Sequence, residues 1–146
     1  MKKTRSMTQL VLVLLFVDAM ACTFSWAQSE PEAKQLAEKS AENWLALVDS
    51  GNYAESWQQA SSLFRSQVSQ STWESKVGPV RQPLGEVLSR KLKNASYTTS
   101  LPGAPDGEYE VIQYETSFAH KKSAVETVTP MLDKDGRWRV SGYFIR

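Results

Sequence analysis

The chain is 146 residues long, with 17 basic and 16 acidic side chains, one histidine and one cysteine. This length predicts a single domain that can bury its own core. The net charge of +1 gives no electrostatic reason to expect nucleic acid or an anionic membrane as a partner.

The first 27 residues have the order of features that defines an export signal. Basic residues within the first five positions are followed by the apolar run 10–17 and by small residues up to Ala27. A positive start, a short apolar segment and a small-residue cleavage site define a secretory signal peptide. We therefore predict that residues 1–27 are removed and that residues 28–146 form one domain in the periplasm or outside the cell.

Two alternatives concern the same N-terminal segment. Ala19-Met20-Ala21-Cys22 loosely resembles a lipobox, in which Cys22 is lipidated and anchors the protein, although Ala19 stands where leucine is usual. A retained membrane anchor is disfavoured because the apolar run is shorter than the roughly 20 residues that a span needs. The signal-peptide interpretation leaves a mature domain without a disulfide, so its core alone must supply stability.

The first half of the mature chain has helical periodicity. A helix is predicted over 31–50, because Ser29 and Glu32 form a capping box and apolar residues recur at three- and four-residue spacing. Gly51 suits the end of this helix.

Two further helices are expected. One begins at Asn52, and its apolar stripe runs to Val68. A short third helix opens at the capping box Ser71-Thr72-Trp73-Glu74. It should end before Gly78-Pro79, because proline disfavours helical conformation in the preceding residue.

The second half changes to strand-like alternation. Strands are predicted over 86–100 (bent near Asn94), 108–119, 124–132 and 137–145, with turns at 120–122 and 133–136. In the last strand, Trp138, Val140, Gly142 and Phe144 should share one face. Helices before strands predict an α+β fold, with the helices packed on one face of a curved antiparallel sheet.

An ordered set of motifs runs through the mature chain. It comprises Gly51-Asn52-Tyr53, Ser56-Trp57, Trp73, 81–85, 101–109, Glu126-Thr127-Val128 and 135–143. The set resembles the small exported bacterial proteins grouped as domain of unknown function 4019, over roughly residues 36–145. That resemblance identifies relatives and implies no activity.

A looser resemblance concerns shape. Paired N-terminal helices followed by a curved sheet that ends in Asp-Gly-x-Trp-x-Val are similar to the cone-shaped fold of nuclear transport factor 2 and its bacterial relatives. This resemblance implies a sheet that curls around the helices and leaves a pocket. Members of that superfamily include isomerases and dehydratases, while many others bind ligands or dimerise, so the fold alone does not assign a function.

The usual catalytic and cofactor motifs are absent from the sequence. His120 lies beside Lys121 and Lys122, as expected of a solvated turn residue, and no Gly-x-Ser-x-Gly elbow or phosphate-binding loop occurs. Asp133 and Asp135 fit a hairpin turn better than a calcium loop. We therefore expect no metal and no cofactor.

Glu126 and Arg81 are the charged residues most suggestive of a site. Glu126 lies on an apolar strand face, where a partly buried carboxylate can serve as a proton carrier. The favoured alternative is an ion pair between Glu126 and Arg137 or Arg139. Arg81 either binds an anionic ligand or, preferably, caps helix carbonyls and pairs with Glu126.

The aromatic residues are expected mainly in the core, and the alternative is an aromatic-lined cavity with polar residues at its rim. The candidate ligand-binding residues are Trp57, Trp73, Arg81, Tyr114, Glu126 and Tyr143.

The sequence favours a non-enzymatic module that binds an unknown small ligand or an envelope protein. It predicts no nucleic-acid partner and no membrane span in the mature form, and a homodimer through the outer sheet face is a further expectation. The alternative is a cofactor-free isomerase, dehydratase or hydrolase, with Glu126 as the acid-base group in a pocket between helices and sheet.

Overall fold

The computed structural model describes residues 29–146, so the predicted signal peptide and Cys22 lie outside the described residues. The described chain begins with helices α1 (Glu30–Asp49), α2 (Tyr53–Gln58), α3 (Ser62–Gln67) and α4 (Gln70–Arg81), and a 3-10 turn follows at Gln82–Leu84. The strands are β1 (Val87–Thr98), β2 (Tyr109–Phe118), β3 (Lys121–Leu132) and β4 (Trp138–Ile145). The predicted α+β class is confirmed.

The strands form one curved antiparallel sheet in the order β1-β2-β3-β4. Each neighbouring pair contains a register shift, and bulges of this kind bend and twist a sheet. One shift in β1 lies between Leu92 and Asn94, where the sequence predicts a bend. Among residues 29–146, no helix is both long and apolar enough to span a bilayer.

Helix α1 packs against β2, β3 and β4 and contributes several residues to the main core. Trp44, Leu45 and Val48 of α1 are buried together with Ile112 of β2 and Val128 of β3. The ring of Trp44 lies 5.5 Å from that of Trp73 and 5.4 Å from that of Tyr143. Rings at such distances add about 0.5–1.5 kcal/mol per pair beyond their buried area.

The predicted single helix over residues 52–68 is wrong, because the structure divides it into α2 and α3. Ser61 causes the division: its backbone N–H donates to Val140 O of β4 at 2.9 Å. Its side chain accepts a hydrogen bond from Phe64 N at 3.1 Å and so caps α3. The break joins the helical layer to the edge strand.

The predicted third helix is wrong at both ends. Ser69 rather than Ser71 is the N-cap, and its hydroxyl accepts a hydrogen bond from Thr72 N at 3.2 Å. Helix α4 then continues through Gly78-Pro79 to Arg81. The restriction that proline places on its preceding residue is a preference that tertiary packing can override.

The first predicted capping box is also wrong, although α1 agrees with its predicted bounds within one residue. Ser29 precedes α1, but its side chain makes no capping hydrogen bond. The 120–122 turn is shorter than predicted, because β3 already begins at Lys121. His120 lies exposed in that turn, as expected.

The predicted face of β4 is correct only for its first half. Val140 pairs with Pro130 and Gly142 with Thr129, so Ser141 has no partner residue on β3. This extra residue reverses the alternation, and Tyr143 rather than Phe144 then points into the core. Phe144 is 61% exposed.

The cap of α4 gives a direct test of its observed start. Replacing Ser69 with alanine removes the N-cap acceptor and should lower the free energy of unfolding by about 1 kcal/mol. Ser75→Ala, the same change at an exposed position inside α4, should stay within about 0.5 kcal/mol of the parent. Urea unfolding measures both, and equal losses would contradict the assigned cap.

Candidate functional site

Four charged side chains from four different elements form a closed ring. We call Asp49 of α1, Arg81 of α4, Arg90 of β1 and Glu126 of β3 the charge ring. Arg81 Nη2 lies 2.6 Å from Asp49 Oδ1, and Arg81 Nη1 lies 2.9 Å from Glu126 Oε1. Arg90 Nε lies 2.7 Å from Glu126 Oε2, and Arg90 Nη1 lies 2.7 Å from Asp49 Oδ2. Positive and negative groups therefore alternate around the ring.

The Glu126 carboxylate accepts four hydrogen bonds. Besides the two arginines, Tyr143 donates its hydroxyl to Oε1 at 2.7 Å and Thr116 donates its hydroxyl to Oε2 at 2.6 Å. A carboxylate offers about four lone-pair sites, so this group is saturated. It is also 0% exposed.

Local structure explains how each member reaches the charge ring. Alternation along β3 places Glu126 on the same buried face as Ala124 and Val128. Asp49 and Arg81 are the last residues of α1 and α4. A carboxylate at a helix C-terminus is unfavourable by itself, and here two arginines compensate it.

The electrostatics of the ring favour its charged form. Burial alone would lower the pKa of Arg90, but hydrogen bonds to Asp49 and Glu126 outweigh burial and raise it. Burial, reinforced by the charge of Glu126, raises the pKa of Tyr143. Tyr143 therefore stays protonated and continues to donate to Glu126.

Arg81 is held on every side by protein groups. It is 4% exposed, and its guanidinium carbon lies 4.7 Å from the centre of the Phe118 ring. Its Nη1 also donates to the Tyr143 hydroxyl at 3.1 Å. Its Nε has no hydrogen-bond partner among the described residues. Both terminal nitrogens of Arg81 already bind carboxylates. Arg81 therefore links helix α4 to α1 through Asp49 and to strand β3 through Glu126.

The structure brings together three of the six candidate residues: Arg81, Glu126 and Tyr143. The expected pair between Arg81 and Glu126 is confirmed. The expected pair between Glu126 and Arg137 or Arg139 is wrong. Arg139 instead contacts Asp133 at 3.0 Å and Asp135 at 2.7 Å. The hydrogen bond from Arg139 lowers the pKa of Asp135 to about 2.

The other three candidates are packing residues. Trp57 donates its indole N–H to Val68 O at 2.7 Å, and Trp73 donates to Ser56 Oγ at 2.9 Å. Tyr114 is buried in the core, and this burial raises its pKa to about 12. None of these three contacts the charge ring through a hydrogen bond.

Sequence reasoning missed two members of the charge ring and a surface groove. Nothing in the local sequence marks Asp49 or Arg90 as a site residue. Asp49 simply ends a helix, and Arg90 lies in a strand with weak alternation. The groove, which we call the basic groove, has a volume of about 750 Å³ between α1, the α2–α3 corner and the β3–β4 hairpin. It is lined by Leu36, Lys39, Ser40, Asn43, Trp44, Gln58, Gln59, Arg65, Gly136, Arg137, Trp138 and Arg139.

The lining of the basic groove is cationic, although Arg139 is paired with Asp133 and Asp135, and Lys39 with Glu42. Four of its lining residues are cationic, and no aspartate or glutamate of the described chain lines it. Within residues 29–146, Arg65 and Arg137 form no ion pair and both are exposed. The three segments that build the groove are far apart in sequence. Only Arg137 and Arg139, on either side of Trp138, give a local hint of it.

The charge ring gives a stability prediction. Glu126→Gln keeps the shape but leaves the buried Arg81 and the partly buried Arg90 without their full charge partners, and should lower the free energy of unfolding by about 3–5 kcal/mol. Glu115→Gln breaks an exposed ion pair with Lys93 and should lower it by no more than about 1 kcal/mol. Urea unfolding at pH 7 compares the two, and equal small losses would refute the structural role of the ring.

The family of the chain follows from comparison of its sequence with known proteins. No curated protein matches it. The family model described as "Protein of unknown function (DUF4019)" matches residues 40–143. The match runs from within α1 into β4 and includes all four residues of the charge ring. The chain therefore belongs to the DUF4019 family, as its motifs predict.

Proposed function

We propose that this protein is a non-enzymatic binding module of the cell envelope that takes a small anionic ligand in the basic groove. The observation that carries the proposal is the lining of that groove, where two of the four cationic side chains, Arg65 and Arg137, have no ion-pair partner within residues 29–146. A concave surface of one sign concentrates ligands of the opposite charge.

The size and chemistry of the basic groove suit a small molecule. Its volume of about 750 Å³ falls within the roughly 300–1,000 Å³ of small-molecule sites. Arg65 and Arg137 offer guanidinium groups that bind carboxylate or phosphate through two parallel hydrogen bonds. Asn43, Gln58 and Gln59 add amide donors and acceptors on the adjoining walls.

The charge ring supports a binding role over a catalytic one. A general base needs a lone pair directed at its substrate. The carboxylate of Glu126 is fully buried, and its lone pairs are taken by Arg81, Arg90, Thr116 and Tyr143. The charge of Glu126 therefore supports a structural role, and we propose that ligands bind at the surface instead.

The export proposal rests on the sequence, and the cone-fold proposal rests on the sequence together with the observed helices and sheet. The charged start, the apolar run and the small residues before Ala27 support delivery across the inner membrane. Helices laid on a curved antiparallel sheet support kinship with the cone-shaped fold of nuclear transport factor 2. The export signal alone supports a periplasmic location for the module.

A titration tests the proposed ligand class. Trp44 and Trp138 line the groove, so their fluorescence reports its occupancy. Citrate and tripolyphosphate serve as carboxylate and phosphate probes, and glucose serves as the neutral comparison. We expect at least one anion to bind, with an affinity that falls as salt is added. Glucose should not bind.

A pair of charge-reversed variants locates the binding. Arg65→Glu combined with Arg137→Glu should weaken anion binding by at least about tenfold, since each lost charge-assisted hydrogen bond is worth about 1.5–3 kcal/mol. Lys121→Glu combined with Lys122→Glu makes the same change in net charge at the distant β2–β3 turn and should preserve the affinity within about twofold. Equal losses in both variants, or no binding of either anion, would refute the proposal.

A further inference from the structure

We propose a second binding site, for a small organic ammonium ion, in a cleft between the first turns of α1 and the C-terminal half of β1. This cleft, the acidic cleft, has a volume of about 480 Å³. It is lined by Glu30, Pro31, Ala33, Lys34, Ala95, Tyr97, Glu108 and Glu110. It shares no lining residue with the basic groove, so the inference is independent of the proposed function.

Glu110 is the observation that points to a ligand. It is 2% exposed and lies opposite Tyr97 where β2 pairs with β1. Its carboxylate makes no hydrogen bond or ion pair within the described range 29–146, and its oxygens are not fully enclosed by protein, so they open onto the cleft. Burying an unpartnered carboxylate is unfavourable, and such groups in native proteins usually meet a water, an ion or a ligand.

The groups around Glu110 leave the cleft negative. Glu30 and Glu108 line it from the start of α1 and from the segment before β2. Lys34 is the only cationic residue in its lining, and the ammonium group of Lys34 lies 3.9 Å from Glu38 Oε1, outside the cleft. The cleft therefore has three carboxylates and one lysine, and that lysine is also attracted to Glu38.

The cleft favours an organic cation over a metal ion. No group of residues in the described chain has the arrangement needed to hold a metal ion. Pro31, Ala33 and Ala95 provide apolar wall, and Tyr97 is half-exposed beside them. Carboxylates combined with an aromatic face are a common way to recognise alkylammonium groups. The volume accommodates a short aliphatic chain with its charged ends.

Protonation of Glu110 couples to both stability and binding. Burial raises the pKa of Glu110; Lys34 acts in the opposite direction, and Glu38 adds to the rise. Glu30 and Glu108, with the hydroxyl of Tyr97, are the other titratable groups that face the cleft. Because the folded pKa is higher than the unfolded one, charged Glu110 destabilises the empty protein above that folded pKa. This loss disappears as the pH falls below the unfolded value.

Calorimetric titration with 1,4-diaminobutane tests the site. We expect binding that strengthens as the pH rises from 4 to 7, because the carboxylate must be charged to meet the ammonium. Glu110→Gln should weaken it by at least about tenfold. Glu32→Gln is the chemically matched control, since Glu32 is exposed on the first turn of α1 but does not line the cleft, and this variant should keep the affinity within about twofold. Lys34→Gln should tighten binding by removing the internal cation.

A second readout keeps the test decisive. In the absence of ligand, Glu110→Gln should raise the melting temperature at pH 7, and this gain should shrink towards pH 4. That profile establishes that the variant folds and that Glu110 is the titrating group. The proposal is overturned if 1,4-diaminobutane fails to bind the parent protein. It is also overturned if Glu110→Gln and Glu32→Gln weaken binding equally, or if calcium chloride binds in place of the diamine.

Discussion

The constraint on which this fold depends is the neutralisation of Glu126 inside the protein. A carboxylate with no solvent contact is tolerated only when charged and polar partners surround it. Here those partners come from α4, β1, β2 and β4. The hydrogen bonds of Glu126 therefore hold these four elements in position around β3. Asp49 completes the arrangement, because it balances the second positive charge and extends the network to α1.

This arrangement separates the buried charges of the protein from the charged surfaces proposed to bind ligands. The buried charges bind one another, and the large aromatic side chains fill the space between α1 and the sheet. Unsatisfied charge remains at the surface, in the basic groove along the middle of α1 and in the acidic cleft at its start. One helix therefore lies beside two concave surfaces of opposite sign, which suits a module that recognises charged molecules.

Much of the fold was predictable because its strands follow simple rules. Alternation along 108–119 and a glycine at position 136 of the hairpin define antiparallel neighbours, and the structure agrees. The errors occur where a distant contact decides local structure. Ser61 ends a helix because Val140 accepts its N–H, and no local pattern contains that information.

The same reasoning explains how much of the site could be foreseen. Glu126 and Arg81 stand out, since a charge in an apolar strand needs a partner and an arginine at the end of a helix can supply it. Arg90 and Asp49 are 36 and 32 residues from their partners Glu126 and Arg81. Their roles depend on how the sheet curves and where α1 ends. The basic groove needs three separate segments, so only the folded chain reveals it.

The extra residue Ser141 divides β4 into two parts that contribute to different regions of the protein. Before it, Trp138 points inward and closes one wall of the basic groove; after it, Tyr143 points inward and reaches Glu126. If Ser141 were not bulged out, regular alternation from Trp138 would turn Phe144 rather than Tyr143 towards the core and would remove a donor from the buried carboxylate. The bulge therefore lets a single short strand supply both a wall of the surface groove and a hydrogen-bond donor to the buried carboxylate.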